Sequence, residues 1–100
     1  MYGYIYKIIN KVNGKMYIGQ TINFSKRIKD HFKELENGTH HSVKLQRAYN
    51  KYGKDNFYYE YKIVEVKSHE ELLKIEIDEI DRYDSYNNGY NMTLVEMDIN

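Results

Sequence analysis

One turn signal limits what this chain can fold into more than anything else in it. Asn13-Gly14 separates two runs in which apolar residues and tyrosines alternate with polar ones. Asn-Gly suits the tight link of an antiparallel hairpin because both residues tolerate positive φ. Residues 2–10 therefore read as one strand and residues 15–20 as its partner. With Asn13-Gly14 as a two-residue loop, Val12 faces Lys15, Asn10 faces Tyr17 and Ile8 faces Gly19. Alternation then sets Tyr4, Tyr6, Ile8, Tyr17 and Gly19 on one side of the sheet. Ile5, Ile9, Met16 and Ile18 take the other. A longer, bulged loop shifts the register but keeps this grouping. Gly19 leaves open space beside the phenols.

Beyond the hairpin the periodicity changes from two to about 3.6. Asn23 reads as the N-cap of a helix over 24–36, with Phe24, Ile28, Phe32 and Leu35 as its apolar stripe and Asn37-Gly38 as its end. A second helix spans 42–52, turning Leu45, Ala48, Tyr49 and Tyr52 inward and closing at Gly53. Residues 57–66 alternate again and form a third strand. Ser68 and Glu71 make a capping box for a third helix over 69–82. The tail from Tyr90 adds a short strand, and its last residues fray. The order implies an α+β fold: a small three-stranded antiparallel sheet flanked by three helices.

With 100 residues, the chain has room for one domain, over 1–100. The absence of cysteine excludes disulfides and thiolate metal sites, and the four histidines match no zinc spacing. No run is apolar enough for a signal peptide or a membrane span, so the expected location is the cytoplasm. Fifteen basic and fifteen acidic side chains cancel, which argues against indiscriminate attachment to a polyanion. Twelve tyrosines are an excess that an AT-rich genome explains as readily as function does.

Glu76 is out of place. On a helical wheel it falls inside the buried arc spanned by Leu72, Tyr83, Ile80 and Leu73. A lone buried carboxylate costs several kcal/mol unless it is compensated. Two readings stand: a carboxylate that escapes to the sheet edge or meets an arginine, and a ligand for Mg²⁺ or Mn²⁺. Arg27 and His31, one turn apart on the first helix, read either as phosphate contacts or as part of a solvated basic face with Lys26, Lys29 and Lys33. Tyr6 and Tyr17 are core aromatics unless a cation or metal-bound water stands close. His40 and His41 read as exposed loop residues. Lys44, Arg47, Lys51 and Lys54 extend the basic face toward a nucleic-acid backbone, or are simply solvated.

Taken together, these pieces resemble the GIY-YIG nuclease family over nearly the whole chain, and most of all the catalytic domains of phage and intron-encoded homing endonucleases. The matching stretches are Tyr4-Ile5-Tyr6, Tyr17-Ile18-Gly19, residues 26–32, residues 42–49, Glu76 in its helix, and Gly89-Tyr90-Asn91. The resemblance implies cleavage of DNA phosphodiesters with a divalent metal, usually Mg²⁺. It implies an active centre of Tyr6, Tyr17, Arg27, His31 and Glu76, with Glu76 on the metal. It also implies support from Asn91, Gly19, His40 and Lys26. One departure is Tyr4, which stands where the family name has glycine and points to the same face as Tyr6. Two other functions fit such a fold: a nucleic-acid-binding module that does not cut, and a protein-interaction domain. The resemblance implies a separate DNA-binding domain for which 100 residues leave no room, so the chain is expected to be an excised catalytic domain, a free-standing relative, or one that gains specificity by forming homo-oligomers.

Overall fold

A computed structural model describes residues 1–93. Three antiparallel strands form the sheet: β1 (Tyr2–Asn10), β2 (Met16–Thr21) and β3 (Phe57–Glu65), in the order β2-β1-β3. Three helices complete the chain: α1 (Phe24–Asn37), α2 (Val43–Tyr52) and α3 (His69–Tyr83). Every element lies within about a residue of its expected bounds. The expected short strand from Tyr90 does not form over 90–93; the remainder of the tail, with its expected fraying, lies outside the described residues. No helix among the described residues is long and apolar enough to cross a membrane.

The hairpin corrects the expected register. Ile8 faces Tyr17 and Tyr6 faces Gly19, one pair away from the two-residue-loop alignment. The loop holds four residues, 11–14, because two asparagine side chains hold its amides. Val12 N–H donates to Asn10 Oδ1 (3.0 Å) and Lys15 N–H to Asn13 Oδ1 (2.9 Å). Gly14 supplies the left-handed residue the turn needs (φ +75°) and donates to the Asn10 carbonyl (2.7 Å). The slip spans an even number of residues, so the faces are as expected.

Each face has its own core. Tyr6, Ile8 and Tyr17 pack beneath α1 and α2 with Ile28, Leu35, Leu45 and Tyr49. Ile5 and Ile18 pack against Leu72 and Ile80 of α3, together with Val66. Serine caps place α2 and α3: Ser42 Oγ accepts from Leu45 N–H (3.1 Å) and Ser68 Oγ from Glu71 N–H (3.2 Å). Glu71 also reaches back to Lys67 N–H (2.9 Å), one residue before the usual capping-box partner. Tyr83, expected in the buried arc, is instead exposed at the end of α3, where the Lys7 ammonium sits 3.6 Å from its ring centre.

Candidate active site

Tyr6 reaches from the central strand across the edge strand β2. A Cβ placed on Gly19 would lie 2.4 Å from Tyr6 Cζ and Oη, so the phenol crosses directly over that glycine. There its hydroxyl meets His31 Nε2 at 2.6 Å, inside the protein. His31 Nδ1 meets His40 Nε2 at 2.7 Å, and His40 Nδ1 accepts the backbone N–H of Ser42 (3.0 Å). A single line of hydrogen bonds thus links β1, α1 and the loop before α2. Tyr17 stands beside it on β2, its ring edge-on to His31, His40 and His41 at 5.3, 5.6 and 5.8 Å. Its hydroxyl bonds His41 Nε2 at 2.9 Å.

The solvated-face reading of α1 holds for some of its cations only. Arg27 and His31 are buried, whereas Lys26 is 61% exposed at its side chain and pairs with Asp30 at 2.8 Å, outside the cluster. Burial, helped by the neighbouring Arg27, His40 and His41, pushes His31 down to about 2 from its ordinary value of 6.5. His40 is likewise buried, contrary to its reading as an exposed loop residue. Asn50 and the Leu35 carbonyl hold Gln46, whose Oε1 accepts the His40 N–H (3.0 Å), and this draws the loop inward.

Asn91 supports the edge strand. Its amide accepts the Ile18 N–H and donates to the Ile18 carbonyl, both at 2.9 Å, in the manner of a neighbouring strand. Tyr4 does not crowd the phenols. Its ring stacks on Phe24 with centroids 5.4 Å apart, to the side of the Tyr6–His31 contact.

Glu76 is fully buried, one turn from both Leu72 and Ile80. Those two residues pack on the Ile5–Ile18 face, so Glu76 approaches β2 from the layer opposite the phenols. It does not escape to solvent. A carboxylate oxygen is the donor that hard cations such as Mg²⁺ and Mn²⁺ prefer. A second group of donors lies on the phenol side: Glu34, His40 and His41, with ligand atoms within 4.8 Å of one another. Spacing in sequence gave no sign of it, since the turn after α1 folds the two histidines back against Glu34. This group suits a cation less well. His40 has one nitrogen engaged by an amide donor and the other by His31. His41, the residue sequence reasoning passed over, contacts Tyr17 directly; its place next to the capping serine was the available signal.

The buried His31 makes stability depend on pH in a defined direction. Below about 6.5 the unfolded chain takes up a proton that the folded protein refuses. Stability should therefore fall as pH drops from 6.5 toward 2, by about 1.4 kcal/mol per pH unit from this residue. Urea titrations at pH 7.5, 5.5 and 4.5 should show that loss in the parent and a shallower one in His31→Gln. Parallel losses would contradict the assignment.

Residues 2–91 match the family model described as the GIY-YIG catalytic domain. The chain is 44% identical over 90 residues to intron-associated endonuclease 1 of Enterobacteria phage T4, covering 88% of this chain and 36% of that protein. It is 36% identical over 98 residues to a probable intron-encoded endonuclease 1 of Neurospora crassa, covering 93% and 31%. The chain thus spans about a third of the length of these curated relatives. Among solved structures, a Glu-to-Ala mutant of the catalytic domain of intron endonuclease I-TevI superposes with a TM-score of 0.81 at 37% identity, covering 97% of this chain and 99% of that one. The catalytic domain of homing endonuclease I-TevI gives a TM-score of 0.78 at 41% identity, covering 89% and 96%.

Proposed function

The chain belongs to the GIY-YIG family of catalytic domains, and we propose that it hydrolyses phosphodiester bonds of DNA with the help of a divalent cation, Mg²⁺ or Mn²⁺, at Glu76. The observation that carries this reading is the buried line from Tyr6 through His31 to His40. Polar side chains are costly to bury, and a merely structural sheet face would use apolar ones. Beside that line sits the buried Arg27, a permanent cation with a fork suited to phosphate.

The edge strand organises the rest. Arg27 and His31 belong to the helix over one face of β2 and Glu76 to the helix under the other, and the phosphate would sit at the rim of that strand between the two layers. Glu76 would hold the cation, whose charge would offset the negative charge that builds on the phosphate and its leaving group. Arg27 binds the scissile phosphate and offsets its growing negative charge. One phenol takes part in removing the proton of the attacking water and the other orients water or phosphate. His31 holds the Tyr6 hydroxyl in place.

A plasmid-nicking assay tests this. Supercoiled DNA should be converted to nicked circles in Mg²⁺ or Mn²⁺ and left intact with EDTA. Binding without conversion in either metal would mark a module that recognises DNA without cutting it.

A further inference from the structure

Resting on the hydrolytic reading above, we propose that Tyr17, not Tyr6, carries the proton away from the attacking water, passing its own proton to His41, which Glu34 orients. The hydrogen bonds give the two phenols opposite polarity. A backbone amide is always a donor, so Ser42 N–H makes His40 Nδ1 an acceptor. The proton of neutral His40 is then on Nε2 and is donated to His31 Nδ1. That leaves the His31 proton on Nε2, pointing at Tyr6 Oη. His31 thus offers Tyr6 a nitrogen already carrying hydrogen and has no lone pair with which to take the phenol proton. Protonating His31 would set two N–H groups against each other at 2.7 Å, and protonating His40 would set its Nδ1–H against the Ser42 N–H at 3.0 Å.

The second phenol is wired the other way. His41 Nδ1 lies 4.0 Å from Glu34 Oε1, beyond hydrogen-bond reach but close enough for the carboxylate charge to favour the proton on that nitrogen. His41 Nε2 then presents its lone pair to the Tyr17 hydroxyl at 2.9 Å. Hydroxyl, imidazole and carboxylate stand in the order that activates a weak nucleophile or base elsewhere in enzymology. Both phenols are buried, and access separates their histidine partners instead. The Tyr6–His31 bond is buried, whereas the Tyr17–His41 bond is only partly so, with the His41 side chain 44% and Glu34 35% exposed. A proton reaching His41 can leave to solvent.

The step balances. As the water oxygen bonds to phosphorus, one water O–H bond breaks and its proton goes to Tyr17 Oη. The former Tyr17 proton moves to His41 Nε2, forming an imidazolium beside the Glu34 carboxylate. The bond from phosphorus to the 3′ oxygen breaks, its electron pair leaving with that oxygen, which takes a proton from solvent, and His41 returns a proton to solvent. His41 acts through Tyr17 and is a positioning residue; His40, stacked on it, and His31, tilted beside it, keep their own arrangement.

Nitrogen-15 NMR of the DNA-free protein at pH 7.5 reads the wiring directly. His41 should carry its proton on Nδ1, and His31 and His40 theirs on Nε2. A proton on His41 Nε2 in the parent overturns the proposal whether or not the protein cuts DNA. In the nicking assay, His41→Gln should cut about 10²-fold more slowly. It should also lose the fall in rate that the parent shows on acidification, keep the His31 tautomer, and regain part of its rate with added imidazole. Parental rate and pH profile in His41→Gln would overturn the proposal, while a parent that does not nick DNA would instead overturn the hydrolytic reading.

Discussion

Glu76→Ala and Glu76→Gln are expected to fold and to leave DNA uncut. The carboxylate sits between Leu72 and Ile80 with no exposed surface, where an ionised group is costly to keep. Gln preserves its volume and much of its hydrogen-bonding capacity, so thermal unfolding of that variant should stay within a few degrees of the parent. Cleavage should fall at least about 10³-fold, the equivalent of about 4 kcal/mol of transition-state stabilisation, which is the scale a metal ion supplies. Calorimetric titration with Mn²⁺ should lose its binding signal in the same variants. Cleavage within tenfold of the parent would remove Glu76 from the metal.

Gly19→Ala should be the most damaging single methyl group that can be added to this sheet. The new Cβ would lie 2.4 Å from Tyr6 Cζ and Oη, atoms of a buried ring in a close-packed interior. Overpacking of this kind costs about 1–3 kcal/mol, and in a domain of this size each kcal/mol lowers Tm by about 4–8 °C. Pushing the phenol aside also breaks its 2.6 Å contact with His31. A displacement of about 1 Å at a reacting centre can cost about 10²-fold in rate, and that is the expected loss of nicking activity. Parental Tm and parental nicking in Gly19→Ala would show that the phenol can give way, and would contradict the close crossing described above.

What was legible in the sequence follows from which forces are local. Caps at Asn23 and Ser68 and the glycines after the first two helices act within a few residues, so the helices could be placed from their own letters. Face assignment in the hairpin survived a wrong register because alternation has period two and the slip was even. The register itself depended on Asn10 and Asn13 bonding to loop amides, an interaction that competes with the two-residue Asn-Gly turn and gives no periodic signal. The anomaly at Glu76 was visible because a charge in an apolar arc contradicts its surroundings. Arg27 and His31 gave no such contrast. They sit among lysines, and only the packing of α1 onto Tyr6 and Tyr17 separates the buried pair from the solvated ones. His40 and His41 depended on a turn that sends one ring inward to His31 and leaves the other at the surface against Tyr17. Tyr59, Tyr61 and Ile63 alternate as a buried strand would and yet lie exposed, because β3 is an edge strand that α1 covers only in part, through Phe24 and Phe32.

The central claim is that a divalent cation is held at Glu76, and crystals soaked in Mn²⁺ test it most directly by anomalous scattering. A peak within coordination distance of the Glu76 carboxylate is the predicted result. A peak among Glu34, His40 and His41, with nothing at Glu76, would contradict it.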